Sequence, residues 1–237
     1  TQVVNRDSSS HFIAFGGFIF IFQYLQLVRA FSPMEAGLLA LPSFGGFIIG
    51  SVVAPMLAHR IRPVKIVTAG LIMAALGFGL ITQVAVETGL GFLVIGMLIY
   101  SLGLAPVITL TTDVIVGAAP PERAGVASAI SETSSEFGGA LGIAILGSIG
   151  TAIYRMRMED GMPKEVPPAL ADEATQTLGA AVTVSSNTTD EVSAQILATA
   201  NDAFVTGMQV NSFIGAVIAV ALAFLAAAFL RNVKGGH

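Results

Sequence analysis

Two carboxylates one helical turn apart are the residues of this sequence best placed to do chemistry. Glu132 and Glu136 lie in the stretch Ala-Ile-Ser-Glu-Thr-Ser-Ser-Glu-Phe-Gly-Gly, which carries no other charge. Four residues turn an α-helix by about 400°, so both carboxylates share one face, about 6 Å apart along the axis. Two close carboxylates in a low dielectric do not both ionise readily. We therefore expect the pair to share a proton, which a lipophilic cation could displace.

Two serines extend the glutamate pair into a polar stripe, because Ser128 and Ser135 lie on the same side of the predicted helix. An ionisable group at the centre of a bilayer costs roughly 2.5–3.5 kcal/mol on insertion scales, so it needs a reason to be there. One reason is proton and cation binding. The structural alternative is that both glutamates only hydrogen-bond to neighbouring helices. Glu136 is the deeper of the two, and Glu132 could instead lie near the membrane interface.

Aromatic residues crowd the first apolar stretch. Phe15, Phe18, Phe22 and Gln26 follow helical spacing on one face, and Gln23 adds a second neutral hydrogen-bonding group. Because aromatic faces attract cations, this face is a candidate lining for a cation-binding cavity. The alternative is a face that packs against lipid or another helix.

Three charged residues are candidates for a gate that closes one side of the protein. Asp113 lies near one end of the fourth apolar stretch, and Arg60 and Arg62 lie in a short basic connection that we expect on the same side of the membrane. We predict that Asp113 pairs with one of these arginines when that side is closed. The alternative is a solvated aspartate at the interface.

The composition limits the classes of protein that can hold these residues. Of 237 residues, 11 are Lys or Arg and 15 are Asp or Glu, so 11% are charged and 54% are hydrophobic. Soluble domains carry about 25% charged residues. This composition argues against a disordered chain, a nucleic-acid-binding domain and almost every soluble enzyme. The chain has no Cys and three His, so cysteine chemistry is excluded and we expect no bound metal or cofactor.

Six apolar runs are long enough to cross a bilayer, which takes about 20 residues in a helix. They cover residues 11–31, 35–57, 65–84, 90–117, 122–154 and 204–231. We predict an all-α integral membrane protein with six transmembrane helices. The long polar connection 155–203 should form two short amphipathic helices, at 168–184 and 189–203; the alternative is a flexible loop.

Charge orients these helices. The short connections at 58–65 and 118–124, together with both termini, hold seven of the eleven basic residues, and the opposite side holds ten acids. The positive-inside rule then places both termini in the cytoplasm and the long connection outside. The chain begins with Thr1 rather than Met, so we expect a piece of a longer protein.

Two similar five-residue motifs suggest an internal repeat. Pro33-Met34-Glu35-Ala36-Gly37 opens the second span, and Pro121-Glu122-Arg123-Ala124-Gly125 opens the fifth. The two lie on opposite sides of the membrane and three spans apart, as in an inverted three-plus-three repeat. Pro-x-x-Ala-Gly is, however, also a good start for any helix.

Several motifs, in this order, resemble the C-terminal half of the fourteen-helix drug:proton antiporters of the major facilitator superfamily. The motifs around the first two helices are at 23–28, 32–38 and 41–42, and those of the penultimate helix are at 119–125, 131–133 and 137–142. The likeness ends with residues 202–208, and quaternary-ammonium efflux pumps look like the nearest branch.

The resemblance implies a function. The six spans would be the last six helices of a pump that exports lipophilic cations across a bacterial inner membrane, driven by the proton gradient. Glu132 and Glu136 fall at positions that the family uses for cation recognition and proton coupling. Two departures stand out. His59-Arg60 replaces the Asp-Arg pair of the family's basic loop, and residues 36–58 lack the acid that some relatives carry there.

Other functions stay open at this point. A transporter of the same fold could carry a neutral drug, a sugar or a lipid, because fold does not determine cargo. A membrane scaffold is less compatible with acids at membrane depth. An intramembrane enzyme would need a nucleophile beside a base, and Ser148 has no histidine at its depth.

Overall fold

The computed structural model describes residues 18–87 and 90–229, and every regular element in those ranges is a helix. Helix α1 covers Phe18–Val28 and ends in a π-turn at Tyr24–Val28. Helices α2 to α4 cover Pro33–Ala58, Pro63–Ile81 and Gly91–Gly117. A 3₁₀ turn at Pro121–Arg123 leads into α5, Ala124–Gly161. Helices α6, α7 and α8 cover Pro168–Ala174, Leu178–Ser185 and Asp190–Phe229.

Five of the described helices are long and apolar enough to cross a membrane: α2, α3, α4, α8 and the helix formed by the 3₁₀ turn with α5. The prediction of an all-helical membrane protein is confirmed. The predicted count of six is not, because only the part of the first span from Phe18 onward is described and α1 is too short to span on its own. Phe15 lies outside the described residues.

Local sequence sets where these helices begin and end. Ser32 caps α2 with a reciprocal pair of hydrogen bonds: Glu35 N donates to Ser32 Oγ at 3.3 Å, and Ser32 N donates to Glu35 Oε2 at 2.8 Å. Pro33 and Pro63 occupy the first helical position, where a missing N–H costs nothing. Just before α2, Ala30 takes a left-handed conformation with φ 54°.

Small residues let the helices pack closely. Helix α4 lies between α2 and α3, and α8 lies between α3 and α5. Gly103 of α4 faces α3 so closely that a Cβ there would lie 2.5 Å from Ala74 N and Gly70 O. A Cβ on Gly50 of α2 would lie 2.8 Å from the Cβ of Ala105. Helices in a membrane gain no hydrophobic free energy by associating, because lipid tails are as apolar as their side chains. Close packing supplies the van der Waals attraction that holds them together instead.

Two helices run far beyond the apolar runs that predicted them. The pattern predicts that the fifth helix ends at residue 154 and the last begins at 204, whereas α5 continues to Gly161 and α8 already begins at Asp190. At 1.5 Å per residue these helices are about 57 and 60 Å long, roughly twice the hydrocarbon thickness. They continue because Met158 and Ile196 are fully buried, so one face stays covered after the other becomes polar.

The long connection is therefore shorter and more structured than 155–203. Its middle holds α6 and α7, with a break at residues 175–177 inside the single helix predicted for 168–184. The helix predicted for 189–203 is the first part of α8 rather than a separate element. The Tyr154 hydroxyl donates to Ala174 O at 3.1 Å and holds α6 against α5.

Candidate functional site

A cavity of about 510 Å³ brings the two glutamates together with residues from four helices. Helix α5 supplies Glu132, Glu136 and Ser135. The other walls are aromatic, hydroxyl and aliphatic side chains from α1, α2 and α4: Phe18, Ser43, Phe44, Phe47, Tyr100, Ser101, Leu104 and Ile108. No Lys, Arg or His of the described residues belongs to this lining.

Both carboxylates are exposed within the described chain, and neither forms an ion pair with a described basic residue. The described lining of the cavity therefore has acidic groups and no basic side chain to balance them. Two acidic groups of this kind attract a cationic ligand.

Two hydroxyl groups in the wall donate hydrogen bonds to backbone carbonyls. Ser101 Oγ donates to Ser43 O at 2.8 Å, and Ser135 Oγ donates to Ser131 O at 3.0 Å. Both serines are therefore polar but uncharged groups of the wall, and the two carboxylates are its charged groups.

Aromatic rings cover the remaining walls and hold one another in place. The rings of Phe18 and Phe44 meet edge to face with centroids 5.8 Å apart, and Phe18 also contacts Phe22 at 4.8 Å. Tyr100 stacks on Phe78 of α3 with centroids 5.0 Å apart. Ring faces beside carboxylates suit a cation that has an apolar body.

The structure separates some residues that the sequence grouped. Phe18 and Ser135 line the cavity, and Phe22 contacts it only through Phe18. Gln23 instead lines a second recess of about 340 Å³ beside Tyr154 and the start of α7. Gln26 is half-buried and lines neither space. Ser128 is exposed and lies one turn before Glu132, outside the cavity lining.

The predicted gate is not formed in this conformation. Asp113, Arg60 and Arg62 are all exposed, and no ion pair joins Asp113 to either arginine in the described part of the chain. Exposure lets each charge be solvated, which removes the drive to pair. Within the same ranges no group of three or more His, Cys, Asp or Glu could hold a metal ion.

Seven cavity residues were missed from the sequence: Ser43, Phe44, Phe47, Tyr100, Ser101, Leu104 and Ile108. Phe44 and Phe47 are three residues apart, which places them on one face of α2. Their spacing was a usable signal, but it did not say which neighbour that face meets. Tyr100 and Ser101 were the polar groups in an apolar run and could have been singled out on that ground.

Comparison with known proteins identifies the fold. The family model of the Major Facilitator Superfamily matches residues 8–153, which is more than half of the chain. The chain belongs to the major facilitator superfamily. The prediction of a membrane transporter rather than an enzyme is thereby confirmed.

Individual relatives are named as drug efflux and resistance proteins. The chain is 32% identical to the multidrug efflux pump LfrA of Mycolicibacterium smegmatis over 91% of this chain and 43% of that protein. It is 37% identical to the tetracenomycin C resistance and export protein of Streptomyces glaucescens, over 56% of this chain and 24% of the relative. It is 29% identical to the methyl viologen resistance protein SmvA of Salmonella typhimurium, over 77% of this chain and 37% of that protein. The chain spans less than half the length of each.

Proposed function

We propose that this chain is the C-terminal half of a proton-coupled multidrug efflux antiporter that exports lipophilic and quaternary-ammonium cations. The observation that carries the proposal is the cavity in which Glu132 and Glu136 lie beside aromatic rings without a basic side chain among the described residues. The names of the relatives support export of drugs, and the share of their length that is matched supports a half-protein.

The cavity chemistry suits a cargo with a charge and an apolar body. A cation 4 Å from one carboxylate gains about 4 kcal/mol at an effective dielectric constant of 20. The apolar surface of the cation is removed from water when it packs against Phe18, Phe44 and Phe47, which is favourable. A neutral molecule would gain only the second contribution, so the site favours cations.

Proton coupling follows from competition for the same charge. When a cation enters, it replaces the proton that Glu132 and Glu136 share; when protons return, they displace the cation. Export requires that the protonated and cation-bound forms favour opposite openings of the transporter, since a ligand shifts a conformational equilibrium only by its differential affinity. The proton gradient is then the energy source, and no cofactor is needed.

The proposal also places the chain in the transporter and in the membrane. The N-terminal half would close the open side of the cavity, where Phe44 and Glu132 are exposed. The bacterial inner membrane is the proposed location, with the C-terminus in the cytoplasm on the basis of the basic connection at 58–65. The partners are the bilayer, the cargo cations and the N-terminal half, and no nucleic acid.

Ethidium efflux from energised cells tests the proposal. Cells carrying the full-length protein should expel ethidium, and a protonophore should stop them. Glu132→Gln and Glu136→Gln should each lower efflux about tenfold or more, because removing one charge removes an interaction of a few kcal/mol. Glu122→Gln is the matched control, because this exposed glutamate precedes the same helix and lies outside the cavity.

A major facilitator transporter of a different cargo is the second candidate, and the different drugs named for the relatives favour keeping it. If the wild type moves no lipophilic cation but does move a neutral drug, the cargo assignment is wrong. If both glutamine variants reach the membrane and export ethidium as the wild type does, the proposed role of the two glutamates is wrong.

A further inference from the structure

A groove of about 370 Å³ opens where α3 begins, beside the end of α8. Arg62 and Lys65 lie at the end where α3 begins, and Ile72 of α3 and Ala227 of α8 lie along the groove. Its described lining contains no acidic residue. The groove is separate from the acidic cavity, whose lining takes no residue from α3.

Charge and apolar surface are arranged along this groove from one end to the other. Arg62 directly precedes α3 and Lys65 lies in its first turn; both line the groove and both are exposed. Ile72 lies two turns beyond Lys65 on the same face of α3, about 10 Å deeper along the helix axis. It is 49% exposed, and Leu76, one turn further, is 61% exposed. The groove therefore has a cationic head and an apolar continuation.

The two cations have no acidic partner in the part of the chain that the structure describes. Thr68 also lines the groove, and its buried Oγ1 has no hydrogen-bond partner among the described residues, which is costly.

We propose that this groove binds one anionic phospholipid. Its phosphate lies between Arg62 and Lys65, and one acyl chain follows α3 past Ile72 and Ala227. Charge complementarity selects the occupant: two unpaired cations attract a headgroup with a net negative charge, whereas the amine of a zwitterionic headgroup opposes them. Basic pockets between transmembrane helices are suited to lipids of this kind.

A tryptophan reporter tests the site directly. The chain contains no Trp, so Ile72→Trp places a single fluorophore of this chain in the groove. The full-length protein, with any tryptophan outside this chain replaced, is reconstituted in phosphatidylcholine with a fraction of brominated phosphatidylglycerol or brominated phosphatidylcholine. Quenching then reports which lipid contacts the groove. Ile95→Trp is the control reporter, since Ile95 of α4 is 52% exposed and lies outside the groove.

We expect brominated phosphatidylglycerol to be preferred at position 72 by about fivefold or more, since each basic residue near a membrane surface contributes about that factor. At position 95 the two lipids should quench equally. The double variant Arg62→Gln/Lys65→Gln should bring the preference at 72 close to one. Arg123→Gln, which removes an exposed basic residue outside the groove, should leave it unchanged.

Three results would overturn the proposal. Equal quenching by both lipids at position 72 shows that no anionic lipid is selected, and this measurement needs no change to the basic residues. An equal preference at 72 and 95 shows a general surface attraction rather than a site. Loss of the preference in millimolar inorganic phosphate shows that the groove binds a soluble anion instead. None of these outcomes depends on transport, so failure here leaves the proposed export function untouched.

Discussion

Replacing Gly103 by alanine should push helices α3 and α4 apart. The new Cβ would lie 2.5 Å from two backbone atoms of α3, Ala74 N and Gly70 O, whereas ordinary contact begins at 3.4 Å. The helices must therefore separate locally by about 0.9 Å. Backbone atoms cannot rotate away as side chains do, so the change should cost near the upper end of the range for overpacking, about 3 kcal/mol.

Part of that cost is offset. Alanine is more favourable than glycine in a helix by about 1 kcal/mol, which leaves a net loss of about 2 kcal/mol. The shift is about 2 °C per kcal/mol at 250 residues and becomes smaller for longer proteins, so the apparent melting temperature should fall by up to about 4 °C. Tyr100 lies one turn from Gly103 and stacks on Phe78 of α3, so the displacement should also disturb the acidic cavity and lower ethidium efflux.

Thermal melting of the purified full-length protein in detergent measures this effect, with Gly79→Ala as the matched control. A Cβ at Gly79 of α3 meets no described atom within 4 Å, so this variant should keep or slightly raise the melting temperature. If Gly103→Ala melts at the wild-type temperature or together with Gly79→Ala, the close packing of α3 on α4 is refuted.

Three further substitutions should shift the same melting temperature. Ser32→Ala removes the cap of α2 and should cost about 1 kcal/mol, whereas an unchanged melt would mean that the cap is not formed. Ala30→Gly should stabilise by about 1 kcal/mol, because glycine adopts the left-handed conformation without strain, and a loss would contradict that conformation. Asn211→Ala breaks the hydrogen bond from Nδ2 to Leu146 O and should cost about 0.6–1.7 kcal/mol. The Ser212 hydroxyl donates within its own helix, so Ser212→Ala should cost less stability than Asn211→Ala. Equal losses of stability would contradict the interhelical hydrogen bond of Asn211.

The helices could be predicted because lipid allows few other structures. A backbone in hydrocarbon must satisfy its own polar groups, so each long apolar run is a helix, and α2, α3 and α4 lie within a few residues of their predicted bounds. The end of α5 and the start of α8 could not be placed in this way. Charge marks where a helix leaves the hydrocarbon, but packing on a neighbour decides where it stops.

The glutamate pair was predictable and most of the cavity was not. Helical rotation places Glu132 and Glu136 on one face whatever surrounds them. Rotation does not give depth or neighbours, which is why Ser128, on the same face, falls outside the cavity. The faces of α2 and α4 that line the cavity could not be predicted, because apolar side chains occur both on faces that contact lipid and on faces that contact another helix.

Small residues were the signal that apolar periodicity lacked. The buried face of α2 carries Ala, Ser and Gly at helical spacing, at Ala36, Ala40, Ser43, Gly46, Gly50 and Ala54. Large side chains such as Leu38, Ile48 and Val52 are exposed. In a membrane helix the small face therefore marks the protein neighbour. Applied to α2, this rule would have placed Ser43 against a neighbouring helix and Phe44 beside that contact.

Proton release on cation binding tests the central claim most directly. Tetraphenylphosphonium is added to the purified full-length protein in weakly buffered detergent near neutral pH, and a dye records the pH. We predict that binding releases protons from the wild type and from Glu122→Gln, and that Glu132→Gln and Glu136→Gln release fewer and bind more weakly. Binding without proton release, or equal release from all four proteins, would contradict a proton shared and exchanged at Glu132 and Glu136.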